Sequence, residues 1–289
     1  MRFPWNKYEE QKLERRNTLQ MFITNDCDLR CRGCFARNII GEDKKNMSLE
    51  EYLKTIEIFL KKGGKQINLL GGEPLLHPEL KGMIGINRKR GLKTTIYTNG
   101  SFLGRYVPTD FTDAKLRVSL YCKSGAAKSA ESLPTTGIPF DANFMVSGNT
   151  DLGELLGSAE YVEKNHGCKT FFISSIRELD NPRKEFFDDT EITMPVLKYK
   201  ELVHQFLEEY TGDMAIHVSK RGVFESTTTA ADNKCRFSNY FIGGKIIQCP
   251  YDVVNLKFQP DYDFGERHCQ QNNSCLMSKI ILKPKQKYS

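Results

Sequence analysis

Short apolar runs alternate with amphipathic helical stretches along most of this chain, and no other feature narrows its fold as much. Strands are expected at residues 19–24, 66–70, 94–97, 116–121, 140–146 and 170–173. In the fifth of these, Phe140, Ala142, Phe144 and Val146 alternate with more polar neighbours. A helix is expected to start at Ser48, with Glu51 completing a capping box. Its apolar residues Leu49, Tyr52, Leu53, Ile56, Phe59 and Leu60 share one face, and Gly63-Gly64 ends it. Further helices are expected near 78–89, from Leu152 through Val162, and near 199–210. Strand-helix alternation of this kind needs a parallel sheet with right-handed crossovers. The expected fold is therefore α/β: a partial (β/α)6-type TIM barrel, with its chemistry in the loops that follow the strands. After about Gly222 the helical periodicity fades, and four of the nine cysteines crowd between Cys235 and Cys275. Two domains are expected, a barrel at 1–222 and a small cysteine-rich auxiliary domain at 223–289.

With 39% hydrophobic and 27% charged residues, the 289-residue chain can bury a core. Its net charge of +6 is mild and dispersed, with denser stretches at Arg88-Lys89-Arg90 and in the lysines of the C-terminal tail. Solvated faces account for that pattern; an acidic substrate is the alternative, and nothing calls for nucleic acid. The first 17 residues are rich in charge and have no apolar signal-peptide core. No stretch has the length of a membrane span. The expected setting is a reducing cytosol, where closely spaced cysteines bind metal rather than pair as disulfides.

The first such group is Cys27, Cys31 and Cys34, spaced C-x3-C-x2-C in a polar loop directly after the first strand. Three thiolates this close can wrap one iron–sulfur cubane and leave one iron open, whereas four would close it. A zinc loop completed by a distant ligand fits the spacing as well.

Other segments make the resemblance specific. Gly71-Gly72-Glu73-Pro74 ends the second strand, Thr98-Asn99-Gly100 ends the third, and Arg117-Val118-Ser119-Leu120-Tyr121 lies on the fourth. Together with the cysteine motif these resemble, in order and position, the radical S-adenosylmethionine (SAM) superfamily. The resemblance spans residues 19–176. It implies a [4Fe–4S] cluster on Cys27, Cys31 and Cys34, whose open iron is chelated by the amino and carboxylate groups of SAM. It further implies that the Gly71-Gly72 backbone approaches the methionine moiety, that Glu73 accepts hydrogen bonds from the SAM amino group, and that Pro74 stiffens the turn. Ser119 would contact the carboxylate or ribose. Asn99 reads as a cofactor contact or as a turn residue. Many members have an aromatic residue just before the third cysteine. Here Gly33 holds that place and Phe35 follows Cys34, so adenine packing falls to Phe35 or to backbone. An electron from the cluster, delivered by a donor such as flavodoxin or ferredoxin, would cleave SAM to methionine and a 5′-deoxyadenosyl radical. His77 reads as a helix-start residue.

The second group is Cys235, Cys249, Cys269 and Cys275. Gly244 and Cys249 form G-x4-C, which resembles the opening of the C-terminal extensions called SPASM and twitch domains. In these, auxiliary [4Fe–4S] clusters are bound. Gly243-Gly244 is expected to turn a tight hairpin. Four cysteines suffice for one cluster, which favours the twitch-like form; a four-cysteine zinc site is the alternative. Of the two remaining cysteines, Cys168 reads as packing. Cys122, just past the fourth strand, is either an inert barrel cysteine or a hydrogen-atom donor to a substrate radical.

The expected function is a radical SAM oxidoreductase that oxidises or rearranges a small molecule with help from the auxiliary cluster. A modifier or activase of a peptide or protein is the second enzyme class. A non-enzymatic cluster- or zinc-binding module is a third reading, opposed by Glu73 in its Gly-Gly-Glu-Pro setting.

Overall fold

The structure, a computed structural model, describes residues 7–11, 17–31, 34, 36, 43–121, 129–175, 194–219, 234–235, 237–247, 267–268 and 279–285. In chain order the first elements are β1 (Tyr8–Gln11), β2 (Thr18–Thr24), α1 (Leu49–Lys61), β3 (Gln66–Gly71), α2 (Leu80–Lys89), β4 (Lys93–Thr98) and β5 (Ala114–Tyr121). Next come β6 (Asp141–Val146), α3 (Leu152–His166), β7 (Thr170–Ser175), α4 (Val196–Glu209) and β8 (Ala215–Ser219). The chain ends with β9 (Lys234–Cys235), β10 (Phe237–Phe241), β11 (Lys245–Ile247), β12 (Arg267–His268) and β13 (Lys279–Pro284).

Strands β2 to β8 lie side by side in sequence order, every neighbouring pair parallel. This is the parallel-dominated α/β sheet that the alternation requires. Six of its strands are those expected from sequence. β8 is an addition: its five residues Ala-Ile-His-Val-Ser offer little apolar signal of their own. The sheet also extends at both edges. β10 adds in parallel to β2 and turns back as β11, while β13 and then β1 add antiparallel beyond β8. Segments on both sides of Gly222 therefore share one hydrogen-bonded sheet. The β10–β11 turn has Gly243 and Gly244 at φ 82° and 78°, as the paired glycines suggest.

α1 begins where expected: the Ser48 hydroxyl accepts from the Glu51 N–H at 3.1 Å. The Glu51 carboxylate does not return to Ser48, however. It accepts from the Tyr240 hydroxyl at 3.0 Å and the Gly243 N–H at 2.8 Å, tying α1 to the distant hairpin. Helices bury their apolar faces on one side of the sheet. Tyr52, Ile56, Phe59, Leu155, Val162 and Phe206 pack there with strand residues such as Leu69, Ile96, Val118, Phe144 and Ile173. The β4–β5 connection carries short 3-10 turns (Leu103–Arg105 and Pro108–Phe111) in place of an α-helix. No described helix is long and apolar enough to cross a membrane.

Candidate cofactor and active site

The cysteine loop leaves the C-terminal end of β2 and is pinned on both sides. Asn25 N–H donates to the Lys45 carbonyl at 3.0 Å, and Met47 N–H to the Ile23 carbonyl at 2.8 Å. Lys44 pairs with Asp26 at 3.1 Å. Facing this loop, the end of β3 docks through its backbone: Gly72 N–H donates to the Thr24 carbonyl at 2.8 Å and Glu73 N–H to the Asp26 carbonyl at 2.7 Å. That approach accounts for the two glycines. A Cβ on Gly71, which has φ 154°, would stand 2.3 Å from the Thr24 carbonyl oxygen. One on Gly72 would stand 2.1 Å from the Asp26 oxygen and 2.9 Å from Cys27 Cβ. Both positions are thus closed to any side chain by the cysteine loop itself.

Glu73 is buried at 1% exposure. Its Oε1 accepts from Leu75 N–H at 2.9 Å and the Thr98 hydroxyl at 2.7 Å, and its Oε2 from Asn99 N–H at 2.7 Å. The carboxylate thereby joins the ends of β3 and β4. Burial pushes its pKa up from 4.5 to about 7, against the pull of these three donors. Asn99 goes on to the cysteine loop, donating from Nδ2 to Asp28 Oδ1 at 2.7 Å, while its Oδ1 accepts from Ser101 N–H at 2.8 Å. It is therefore a turn residue and a bridge at once. Pro74 is buried at the start of a 3-10 turn.

Cys27, Cys31 and Cys34 form no disulfide and are each half-buried, and Cys34 N–H turns back to the Cys31 carbonyl at 3.4 Å. Burial pushes the Cys27 thiol up to about 11, with smaller pushes from Glu73, Asp28 and Cys34. A single zinc ion needs ligand atoms about 2.0–2.3 Å from one point. No three Cys, His, Asp or Glu side chains among the described residues are so arranged. A cubane asks for less convergence, because each thiolate binds a different iron. The donor set fits it: three cysteines outside any disulfide in one loop, beside glycines that keep the approach clear.

Ser119 stands half-buried on β5, in register with Asn143 of β6. Its face of the sheet, opposite the helices, also carries Tyr97, Arg117, Asn143, Phe172, Ser174 and His217. Sequence reasoning did not single out Thr98, Asp28, Tyr97 or Arg117 as site residues. Thr98 opens the Thr98-Asn99-Gly100 segment and Asp28 lies between Cys27 and Cys31. For Arg117 the signal was a charged side chain in the middle of a strand that should be buried on both faces.

His77 is structural, its Nε2 at 3.1 Å from the Met47 carbonyl and its Nδ1 accepting from Glu79 N–H at 3.0 Å. Cys168 is buried, with Sγ 3.1 Å from the Phe140 carbonyl oxygen, and acts as packing. Cys235 lies in β9, its Cα in register with Arg267 of β12. Phe35, Cys122, Cys249, Cys269 and Cys275 lie outside the described residues.

Residues 21–125 match the family model described as the radical SAM superfamily. That segment runs from β2 past β5 and contains Cys27, Glu73, Asn99 and Ser119. The match supports the radical SAM superfamily for this segment, a little over a third of the chain. Such proteins use a [4Fe–4S] cluster and SAM. Among curated proteins, the GTP 3′,8-cyclases of Brucella ovis and Brucella canis are each 37% identical over 95 residues, which is 30% of this chain and 27% of the cyclase. The match thus spans little more than a quarter of those relatives. Among solved structures, Streptococcus suis SuiB bound to S-adenosylmethionine superposes with a TM-score of 0.63 at 17% identity, covering 84% of this chain and 63% of that one. SuiB bound to its precursor peptide SuiA superposes equally, at 16% identity and with coverage of 84% and 62%. At this identity the likeness is one of fold.

Proposed function

We propose that this protein is a radical SAM oxidoreductase of the partial-barrel type acting on a small molecule, with an auxiliary [4Fe–4S] cluster in its C-terminal region. The observation that supports it most is the joint built around Glu73. One buried carboxylate ties the ends of β3 and β4, Asn99 carries the tie to Asp28, and the glycines before Glu73 fit against Cys27. The three donors to this carboxylate are neutral and leave its charge unbalanced, which a cationic amino group docking at the strand ends would offset.

In this reading Cys27, Cys31 and Cys34 hold the cluster. When bound, it supplies the electron that cleaves SAM to methionine and a 5′-deoxyadenosyl radical. Glu73 orients the SAM amino group, Asn99 and Ser119 position the remainder of SAM, and Phe35 packs on the adenine. The face carrying Ser119 and Asn143 receives the substrate. Cys235, Cys249, Cys269 and Cys275 hold the auxiliary cluster, and the pairing of β9 with β12 supports this by bringing the chain at Cys235 beside the segment that leads into Cys269. Cys122 stays a candidate hydrogen donor. Residues 1–222 and 223–289 are proposed as the two functional units, although their strands share a sheet. The relatives named above differ in substrate, one named for GTP and one bound to a peptide, so the small-molecule class rests on the polar strand face rather than on them.

The test is anaerobic reconstitution, an iron and zinc count, and an assay for 5′-deoxyadenosine after addition of dithionite and SAM. About eight irons per chain with deoxyadenosine formed is the expected result, two four-iron clusters. About four irons with one zinc would remove the auxiliary cluster from the proposal. Iron without SAM cleavage under any reductant would overturn it.

A further inference from the structure

Among the described residues, Arg117 is a cation without an anion. It lies on β5, its Cα in register with Tyr97 of β4, two residues nearer the strand start than Ser119 and on the same face. Its NH1 donates to the Tyr97 hydroxyl at 2.7 Å. Its guanidinium lies 3.6 Å from the Phe172 ring centroid and 5.0 Å from that of Tyr97. The two rings fix the plane of the fork. No carboxylate among the described residues pairs with it, and Asp141, its register partner on β6, does not take that role. Nε is shielded from water and has no hydrogen-bond partner.

A stacked guanidinium with its Nε edge unspent is a fork set for a planar, bidentate oxyanion. Apart from Asp141, in register with Arg117 on β6, the neighbouring groups on this face are neutral hydrogen-bonding side chains or rings. Asn143 accepts from the Ser174 hydroxyl at 2.7 Å, and His217 packs on Phe172 with centroids 4.1 Å apart. The lysines of matching parity on the same strands, Lys93 and Lys115, stand exposed at the strand starts. One half-buried guanidinium, with no second cation beside it on this face among the described residues, suits a singly charged carboxylate better than a phosphate.

We infer that Arg117, held by Tyr97 and Phe172, binds a carboxylate of the substrate. This rests on the reading that the strand face below the cysteine loop receives the substrate. Its position agrees: Tyr97 packs against the same small apolar cluster as Cys34, formed by Phe22, Ala36, Leu70, Phe241 and Ile247. Tyr97 and that cluster therefore lie between an anion on Arg117 and the cofactor loop. A substrate tethered there by its carboxylate would present the rest of its carbon frame to the cofactor.

The other source of a carboxylate is the methionine moiety of SAM, and the experiment separates the two. Reconstituted holoprotein with SAM bound is titrated by calorimetry with small carboxylates, from acetate to N-acetyl amino acids. Each is run beside its neutral amide, and inorganic phosphate is run in parallel. The expected result is saturable binding of at least one carboxylate and not of its amide, weakened on the order of tenfold or more in Arg117→Gln, as for loss of a charged hydrogen-bonded contact. Arg117→Lys keeps the charge and loses the fork, so it should recover only part of that affinity and serves if the glutamine variant does not fold. SAM affinity, read by equilibrium dialysis, should move by no more than about threefold. Carboxylate binding that survives Arg117→Gln, no carboxylate binding at all, or phosphate bound in preference would each overturn the inference. So would a tenfold loss of SAM affinity, which would give Arg117 to the cofactor. The titrations need no turnover. A protein that binds carboxylate through Arg117 but makes no deoxyadenosine would therefore sink the proposed function and leave this site standing.

Discussion

The two faces of the parallel strands are built from the same residues taken alternately, and they differ in kind. Toward the helices β5 and β6 present Leu116, Val118, Leu120, Ala142, Phe144 and Val146, all in the buried core. Away from them the same strands present Arg117, Ser119, Asn143 and Met145. A parallel sheet covered on both sides is usually apolar on both. Here Gln20, Asn68, Thr95 and Asn143 are buried and yet polar. Stability accounts for the first face. The second keeps groups that cost free energy to bury, and the proposed substrate site would account for them.

The largest effect expected belongs to the loop above the polar face. Cys31→Ala should reduce deoxyadenosine formation to background. The unfolding temperature of the metal-free protein should change little, because Cys31 is half-exposed and outside the core. A variant that still cleaves SAM would break the link between this loop and the chemistry.

The contrast itself is tested on two adjacent residues of β6. Phe144→Ala removes a fully buried ring and should cost about 3–5 kcal/mol in chemical denaturation. Asn143→Ala, one residue away on the other face, removes the acceptor of the Ser174 hydroxyl and should cost about 1 kcal/mol. Equal costs would mean that the polar face is packed for stability after all.

Glu73 sharpens the comparison through pH. Burial raises its carboxyl to about 7 from 4.5, so between those values the folded protein holds a proton that the unfolded chain has released. The cluster-free protein should therefore lose stability as pH rises from about 4.5 to about 7, by up to ~3 kcal/mol, and stay level above that. Glu73→Gln should flatten the slope. A slope that the variant leaves unchanged would assign it to other groups.

Much of this was legible in the sequence, for reasons that particular residues show. The six expected strands carried apolar residues at alternate positions, and the motifs at their ends keep their chemistry local, so spacing alone exposed them. β8 was missed because its core contact is only Ile216 and Val218, too short for a periodic signal. β1 was missed because Tyr8-Glu-Glu-Gln reads as solvated chain until β13 arrives from the far end to pair with it. Arg117 could be read as part of a strand but not as part of a site, since its partners Tyr97 and Phe172 lie 20 and 55 residues away along the chain.

Glu51 shows the same limit at its smallest scale and gives the weakest effect expected. Ser48 and Glu51 fit a reciprocal capping box, and half of it forms. Ser48→Ala should cost about 1 kcal/mol, the usual worth of an N-cap. The other half is spent on Tyr240 and Gly243, which lie 189 and 192 residues away. Glu51→Ala should therefore cost a similar amount through a different route, by loosening the β10–β11 hairpin. Hydrogen exchange separates the two: Ser48→Ala should raise exchange in the first turn of α1, and Glu51→Ala at Gly243 and along β10. If both variants loosened only α1, the hairpin would owe its place to its strand pairing with β2, and the carboxylate would be an incidental contact.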